Sequence, residues 1–454
     1  MNELSSAHEL NRRAFLKGGS VATLMTLMGG VELIAQTADP APAEPGNKVR
    51  VAVIGCGAWG RELVKVLSRI EQAEMAALCD TYPAALRRCA ADAPGARQVA
   101  RAEDVLADPD IHAVFIATPT HQHRELVEAA LKAGKHVYCE APLAHTIEEA
   151  RAIALAAQAA PRQVFQSGLQ MRSDKQRIWL LPFIRAGNLG TFVKARAQWN
   201  RKTSWRTPAP NPDREKALNW RLERATSPGL LGEIGIHQLD QVAWFLNGRP
   251  RAVTGFSSLV QWRDDDRDVP DTVQAVLEFP KGVHLTCDLT LGNSFDADYE
   301  VLHGTYAAVM MRENRAWMFK EADSPLFGWE VYARKETFHN ETGIILMAGS
   351  SKQETWTQQL DAEGKLRASP LYAALENFLY NVGEQRAAIQ DFIEAYGEDT
   401  AALTEHLKTE VEPKRKPGAT ALEGFQATVT ALKANEAALA KKRIELAAEW
   451  YQLA

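Results

Sequence analysis

Residues 50–60 read Arg-Val-Ala-Val-Ile-Gly-Cys-Gly-Ala-Trp-Gly, and Asp80 closes the next apolar run. A short apolar run, a glycine-rich turn and a helical pattern over 62–70 describe a strand, a tight turn and a helix. Gly55 allows the bend, Gly57 lets the backbone approach a pyrophosphate, and Gly60 permits close helix packing, so an anion would sit at a helix N-terminus. A G-x-G-x-x-G pattern alone is weak. Here it follows a strand, opens a helix and lies about 20 residues ahead of an acidic side chain, the context in which it reads as a dinucleotide site. Gly55, Gly57, Ala58, Trp59 and Gly60 are the phosphate-side candidates. Asp80 is placed to accept hydrogen bonds from the adenosine ribose hydroxyls and to repel a 2′-phosphate, so NAD is expected over NADP. Arg87 and Arg88 read as exposed helix charges.

The first 47 residues differ in kind. Arg12 and Arg13 precede a weakly apolar stretch, Gly18 to Ala35, and a Pro/Ala-rich segment over 36–46. This pattern matches a twin-arginine export signal followed by a linker, which predicts a periplasmic or secreted protein with the twin-arginine machinery as a partner. Glu32 and several glycines argue against a permanent membrane span. Twin-arginine export carries folded proteins, which suits a chain that captures its nucleotide first. An exported enzyme meets little free NAD, so a tightly held cofactor and a redox-neutral cycle are expected.

With 454 residues, 46% hydrophobic content and a net charge of −5, the chain has room for two domains with real cores, and no basic excess points to nucleic acid. The five cysteines, Cys56, Cys79, Cys89, Cys139 and Cys287, are scattered and odd in number, and read as small apolar fillers. Through about residue 167, apolar runs alternate with helical patterns. Met75–Cys79, Ala113–Ala117, His136–Cys139 and Gln163–Gln166 read as strands, Gln122–Ala133 and Ile147–Ala159 as helices. The expected fold is α/β, with a doubly wound parallel sheet over 48–168. Ligands bind such sheets at the carboxyl ends of the strands. That places Thr118, Pro119 and Glu140 at the cofactor.

The succession G-C-G-A-W-G (55–60), A-T-P-T-H-Q-H (117–123), A-G-K-H-V-Y-C-E-A-P-L-A (133–144) and G-I-H-Q-L-D (235–240) resembles the glucose-fructose oxidoreductase family, also called Gfo/Idh/MocA. The likeness is clear over about residues 49–310. It implies a Rossmann domain joined to a second α/β domain, here 169–454, whose open, mostly antiparallel sheet often mediates oligomers. It also implies NAD(P)-dependent oxidation or reduction of sugars and cyclitols, or in some members redox-neutral glycoside cleavage. His123 matches a family position on the cofactor side. One departure stands out: the family's usual Glu-Lys-Pro is Glu140-Ala141-Pro142. A lysine there hydrogen-bonds the reacting oxygen, and alanine does not. Either another residue supplies the charge, or the chemistry is altered, or the protein binds nucleotide and sugar without turnover.

Gly232 to Gly248 reads as a helix with Glu233, His237, Asp240 and Trp244 on one face and Ile236, Leu239, Ala243 and Leu246 on the adjacent stripe. His237 is the natural acid/base for a secondary hydroxyl, with Asp240 or Glu233 orienting its ring. The pattern alone fits a solvated helix face equally well; the resemblance, through a matching G-x-H-x-x-D, favours His237. No metal site is expected. For a carbohydrate ligand, Gln170, Arg172, Trp199, Trp205, Trp220 and Arg221 supply hydrogen bonds and aromatic platforms, with Arg172 first because it resembles the family's G-x-Q-x-R. Tyr299 is a second candidate base for the glycosidase route. Val273–Phe279 and Val283–Leu289 read as a hairpin whose second strand has one apolar and one polar face, so a homo-oligomer is expected. Helices are expected over 371–382 and 420–440, the latter returning towards the Rossmann side, with a polar surface insertion between 385 and 417.

Overall fold

The computed structural model describes residues 48–313, 315–331, 333–338, 341–346 and 369–453, so the export signal and linker assigned to 1–47 lie outside the described residues. The first sheet is built from β1 (Val49–Ile54), β2 (Ala73–Cys79), β3 (Arg97–Val99), β4 (Ala113–Ile116), β5 (His136–Cys139) and β6 (Phe165–Ser167). Between them run α1 (Ala58–Leu67), α2 (Pro83–Ala90), α3 (Ala102–Leu106), α4 (His123–Lys132) and α5 (Ile147–Gln158). All pairings are parallel, in the order β3-β2-β1-β4-β5-β6. This is the doubly wound order whose crevice, between β1 and β4, receives dinucleotides.

A parallel sheet buried on both faces needs two covers, and the period of two along β1 shows what they are. Val49, Val51 and Val53 point to one core, shared with Leu63, Val64 and Leu67 of α1 and Leu86 and Cys89 of α2. Ala52 and Ile54 point to the other, shared with Val127 of α4 and Ile153 of α5.

After β6 the chain forms α6 (Lys175–Phe183), β7 (Phe192–Asn200), α7 (Pro212–Leu218) and α8 (Ile236–Leu246). There follow β8 (Ala252–Ser258), β9 (Thr272–Glu278), β10 (His284–Thr290), β11 (Asp298–Gly304), β12 (Ala307–Arg312), β13 (Arg315–Lys320), β14 (Lys335–Phe338) and β15 (Glu341–Leu346). The chain ends with α9 (Pro370–Tyr396), α10 (Thr400–His406), α11 (Ala421–Ala440) and β16 (Ile444–Glu445). The second sheet runs β14-β15-β13-β12-β11-β7-β10-β9-β8-β16, and every neighbouring pair is antiparallel except β7 and β10.

The expected hairpin is β9 and β10, turned through Lys281 (φ 65°) and Gly282 (φ 78°). Leu285, Cys287 and Leu289 face the helix-covered core with Ile236, Leu239 and Val242, while Phe256 and Val276 stand exposed on the other face, 65% and 38% accessible. All five cysteines are buried and unpaired.

The C-terminal helices redraw the domain boundary placed at 168. Leu371, Leu375, Phe378, Leu379 and Val382 of α9 belong to the same core as Val51 and Val53. The Phe378 ring meets Phe115 edge-on at 5.3 Å and Tyr138 at 5.8 Å. The amphipathic pattern over 371–382 shows a buried face without naming the sheet it covers, and the open place was on the Rossmann sheet. The α11 helix also reaches that side: Thr428 accepts from the Leu143 N–H at 3.1 Å, and Ser167 pairs with Ala419. The second half of α9 and α10 carry a satellite core of Phe392, Leu403 and Leu407 in the segment expected to be a surface insertion. Phe378→Ala, a truncation inside the Rossmann core, should lower the unfolding free energy by about 3–5 kcal/mol in urea titrations.

Candidate active site

The glycine turn packs as its spacing requires. Gly55 has φ +96° and its Cα lies so close to the Ala117 backbone that a Cβ would come within 2.6 Å; at Gly60 a Cβ would sit 1.8 Å from the Gly55 oxygen. Gly57 is different: no atom lies within 4 Å of where its Cβ would be. The turn is closed where it supports the helix and open where a phosphate would approach, with Ala58 and Trp59 starting α1 beside that opening. Asp80 is fixed from both sides, its Oδ2 accepting from the Cys56 N–H and its Oδ1 from the Tyr82 N–H, each at 2.7 Å. Each oxygen retains a further lone pair for a ribose hydroxyl.

Thr118 and Pro119 end β4, and Glu140 ends β5, on the same rim. The Thr118 Oγ1 and the Glu140 Oε1 are buried without a partner. Burial pushes the Glu140 carboxyl up to about 7, against Trp59, the Ala141 backbone and the charge of Arg221. Orphaned polar atoms around an open glycine fit a bound nucleotide. His123 does not share that role. Its ring is 1% accessible, with Nδ1 3.0 Å from the Pro142 oxygen and Nε2 3.0 Å from the Thr118 oxygen. Burial holds it near 4, hence neutral, so its single N–H donates to one of these two carbonyls. The reading of His123 as a cofactor contact is corrected: the ring is enclosed behind the rim against protein carbonyls.

Across the cleft, α8 is entered through a wide π turn, Leu231–Gly235, rather than by the continuous α-helix expected from Gly232. Gly235 lets this turn lie on Leu289, where a Cβ would meet its Cδ1 at 2.8 Å. His237 is half-buried in the first turn of α8. Its Nδ1 is buried without a partner, and burial pushes the imidazole down to about 4.

Neither carboxylate expected to orient His237 bonds to it. Glu233 is 5% accessible and accepts from Thr120 Oγ1 at 3.0 Å, Ser227 Oγ at 3.3 Å and Arg221 Nε at 3.3 Å. Asp240 takes one edge of the Arg172 guanidinium in a bidentate pair, Nε donating to Oδ2 and Nη2 to Oδ1, each at 2.9 Å. Burial raises both carboxyls, and Arg221 and Arg172 respectively oppose it. The stripe expected to face the cleft as a unit is thus divided: His237 keeps an unpartnered ring nitrogen, while Glu233 pairs with the partly exposed Arg221 and Asp240 with the enclosed Arg172.

Arg172 is corrected with them. Besides Asp240 it donates to Glu423 Oε1 at 2.5 Å and lies 5.4 Å over the Trp244 ring, which leaves its side chain 12% accessible and all three of its nitrogens engaged within the protein. Gln170, in the same short helical turn, keeps a buried Oε1 without a partner and remains available. Trp205 and Trp220 flank Arg221 at 5.9 and 4.7 Å, and Trp199 lies 5.9 Å from Arg201. Tyr299 pairs in register with Gln198, the row opposite to Ala197 and Trp199, and its ring lies between Arg196 and Arg312 on the face turned away from α8. It has no access to the cleft as a base. Thr120 and Ser227, which anchor Glu233, were not singled out by spacing. Among the described residues no group of three or more His, Cys, Asp or Glu is placed to hold a metal ion, and no helix is long and apolar enough to cross a membrane.

Two family models match the chain: "Oxidoreductase family, NAD-binding Rossmann fold" over residues 49–167, and "GFO/IDH/MocA C-terminal domain" over 182–309. The chain is 28% identical over 265 residues to 1,5-anhydro-D-fructose reductase of Ensifer adhaerens, a span of 58% of this chain and 75% of that protein. It is 27% identical over 234 residues to levoglucosan dehydrogenase of Pseudarthrobacter phenanthrenivorans, covering 46% of this chain and 58% of that relative. A solved levoglucosan dehydrogenase in complex with NADH and levoglucosan shares the fold, with a TM-score of 0.65 at 18% identity over 88% of this chain and 99% of that one.

The packing around the turn separates two glycine variants. Gly57→Ala has room for its methyl and should keep the wild-type melting temperature while losing NAD affinity in calorimetric titration; Gly60→Ala should lower the melting temperature itself. Arg172→Ala leaves Asp240 buried and uncompensated, and should cost about 3–5 kcal/mol in denaturant unfolding.

Proposed function

The chain belongs to the Gfo/Idh/MocA oxidoreductase family, and on that premise we propose that it is an NAD-dependent oxidoreductase acting on a CH–OH group of a sugar, cyclitol or glycoside. The observation that carries the reading is the set of unsatisfied groups: an unpartnered buried nitrogen on His237, orphaned oxygens on Thr118 and Glu140, and a glycine turn left open at Gly57. Bound nicotinamide supplies the hydride acceptor. The residues of this chain do the rest. Asp80 selects an unphosphorylated ribose, Thr118 and Glu140 satisfy polar groups on the cofactor, and His237, kept neutral by burial, receives the hydroxyl proton. The half-buried Trp199 and Trp205 and the free carbonyl of Gln170 offer a stacking surface and a hydrogen-bond acceptor to a carbohydrate.

The reading extends to cellular context. Arg12 and Arg13 ahead of an apolar stretch support export by the twin-arginine route to the periplasm or beyond, with nucleotide already bound and retained through a redox-neutral cycle. The exposed Phe256 and Val276 on the uncovered face of the second sheet support a homo-oligomer formed through that face.

Mass spectrometry of the nucleotide extracted from purified protein, followed by its absorbance change on adding a sugar panel, tests the core of this. NAD with sugar-dependent reduction is the expected result; empty sites with weak NAD binding and no spectral change would overturn it. His237→Ala should lower the oxidation rate by about 10²–10⁴-fold while leaving NAD affinity intact. The base is the neutral ring, so the contribution of His237 to kcat/KM for oxidation should be complete at neutral pH and decline as pH falls through about 4.

A further inference from the structure

We propose that Arg221 is the cation of the reaction centre, taking over the charge that a lysine at position 141 would supply and presenting its outer N–H groups to the reacting oxygen of the substrate. This rests on the oxidoreductase reading above and names the residue that completes the site.

The placement follows from contacts on both sides of the cleft. Arg221 Nε lies 3.3 Å from Glu233 Oε2, and the other oxygen of that carboxylate is held by Thr120, two residues beyond Thr118 on the rim of β4. Trp220 lies beneath the guanidinium at 4.7 Å and meets the His121 ring edge-on at 6.3 Å, so the Trp220–Arg221 pair is pressed against the same rim. Trp205 covers the other side at 5.9 Å, in a backbone conformation with φ 61°. The charge of Arg221 is felt at Glu140, the neighbour of Ala141. Unlike Arg172, Arg221 is not enclosed: its side chain is 40% accessible while its partner Glu233 is 2% accessible. One nitrogen is therefore anchored and the terminal two remain available at the cleft.

Buried carboxyls at positions 140 and 233 and a neutral imidazole at 237 leave this centre without another cation that these contacts bring to the rim. A guanidinium keeps its proton at any working pH and holds its donors in a fixed fork. During oxidation the hydroxyl proton would pass to His237 as the C=O bond forms, with a bound nicotinamide as the acceptor of the hydride lost from carbon. Arg221 gains and loses nothing. Its role is to hydrogen-bond the oxygen while negative charge builds there.

Arg221→Gln, Arg221→Lys and the double variant Arg221→Gln/Ala141→Lys test this in the NAD-loaded protein. Arg221→Gln should lower kcat by about 10²–10³-fold, the usual loss of one donor to a developing oxyanion, with NAD affinity unchanged; its melting temperature should fall as well, because the buried Glu233 loses its cation. Arg221→Lys should retain more activity and acquire an alkaline decline that the wild type lacks, because lysine can lose its proton. Ala141→Lys in the Arg221→Gln background should recover at least about tenfold, since it restores a positive charge at the same oxygen. Wild-type kcat in Arg221→Gln would overturn the proposal, as would a loss of kcat accompanied by an equal loss of NAD affinity and not rescued by lysine at position 141. Calorimetric titration of each variant with a sugar bound by the wild type separates the two readings. If the wild type turns over no sugar, the oxidoreductase reading falls, and weaker sugar binding in Arg221→Gln still decides whether the guanidinium faces the ligand.

Discussion

The arrangement of this molecule hangs on one guanidinium. Arg172 leaves the Rossmann sheet just after β6, grips Asp240 on α8 with two hydrogen bonds and Glu423 on α11 with a third, and is roofed by Trp244. Glu423 is itself half of the capping box that starts α11, its second oxygen receiving the Thr420 N–H. Three segments far apart in the chain are thereby fastened at one point. Burying such charges is worth little net stability, because desolvation offsets much of the attraction; what it gives is position. Asp240 lies one helical turn beyond His237, so the guanidinium sets where the imidazole stands relative to the glycine turn.

The two sheets are joined by more than this contact. The α9 helix closes one face of the Rossmann sheet and α11 spans the other, so neither half of the chain completes its core alone. A linear boundary at 168 describes the order of strands correctly and the distribution of buried surface poorly. For the site, the consequence is a cleft whose walls are tied together by packing on both sides of the sheet as well as by charge.

What was legible in the sequence is what local geometry dictates. The tight contacts at Gly55 and Gly60 leave no substitute for glycine, the alternation of Leu285, Cys287 and Leu289 assigns a face, and Asp80 directly follows its strand. What was not legible is who neutralises whom. Glu233, His237 and Asp240 look equivalent on a helical stripe; only the fold brings Arg221 to one carboxylate and Arg172 to another, 68 residues distant in the second case. Arg172 reads as a ligand contact through its likeness to the family's G-x-Q-x-R, and that short motif carries no sign of the carboxylates the fold brings to it. Tyr299 shows the same limit in a sheet, where periodicity yields two faces without saying which one meets the cleft.

The two hydrogen bonds that the Asp80 carboxylate accepts from the Cys56 and Tyr82 backbones deserve a last physical consequence. The Cys56 bond joins the first and second strand-to-helix turns, and the Tyr82 bond fixes the carboxylate within the second, both through protein atoms. The loop entropy is therefore lost when the chain folds, and the ligand meets a receptor whose shape is already set. A preorganised cradle of this kind wastes none of the association free energy on arranging itself, and slow dissociation can follow from rigidity alone, without a moving cover.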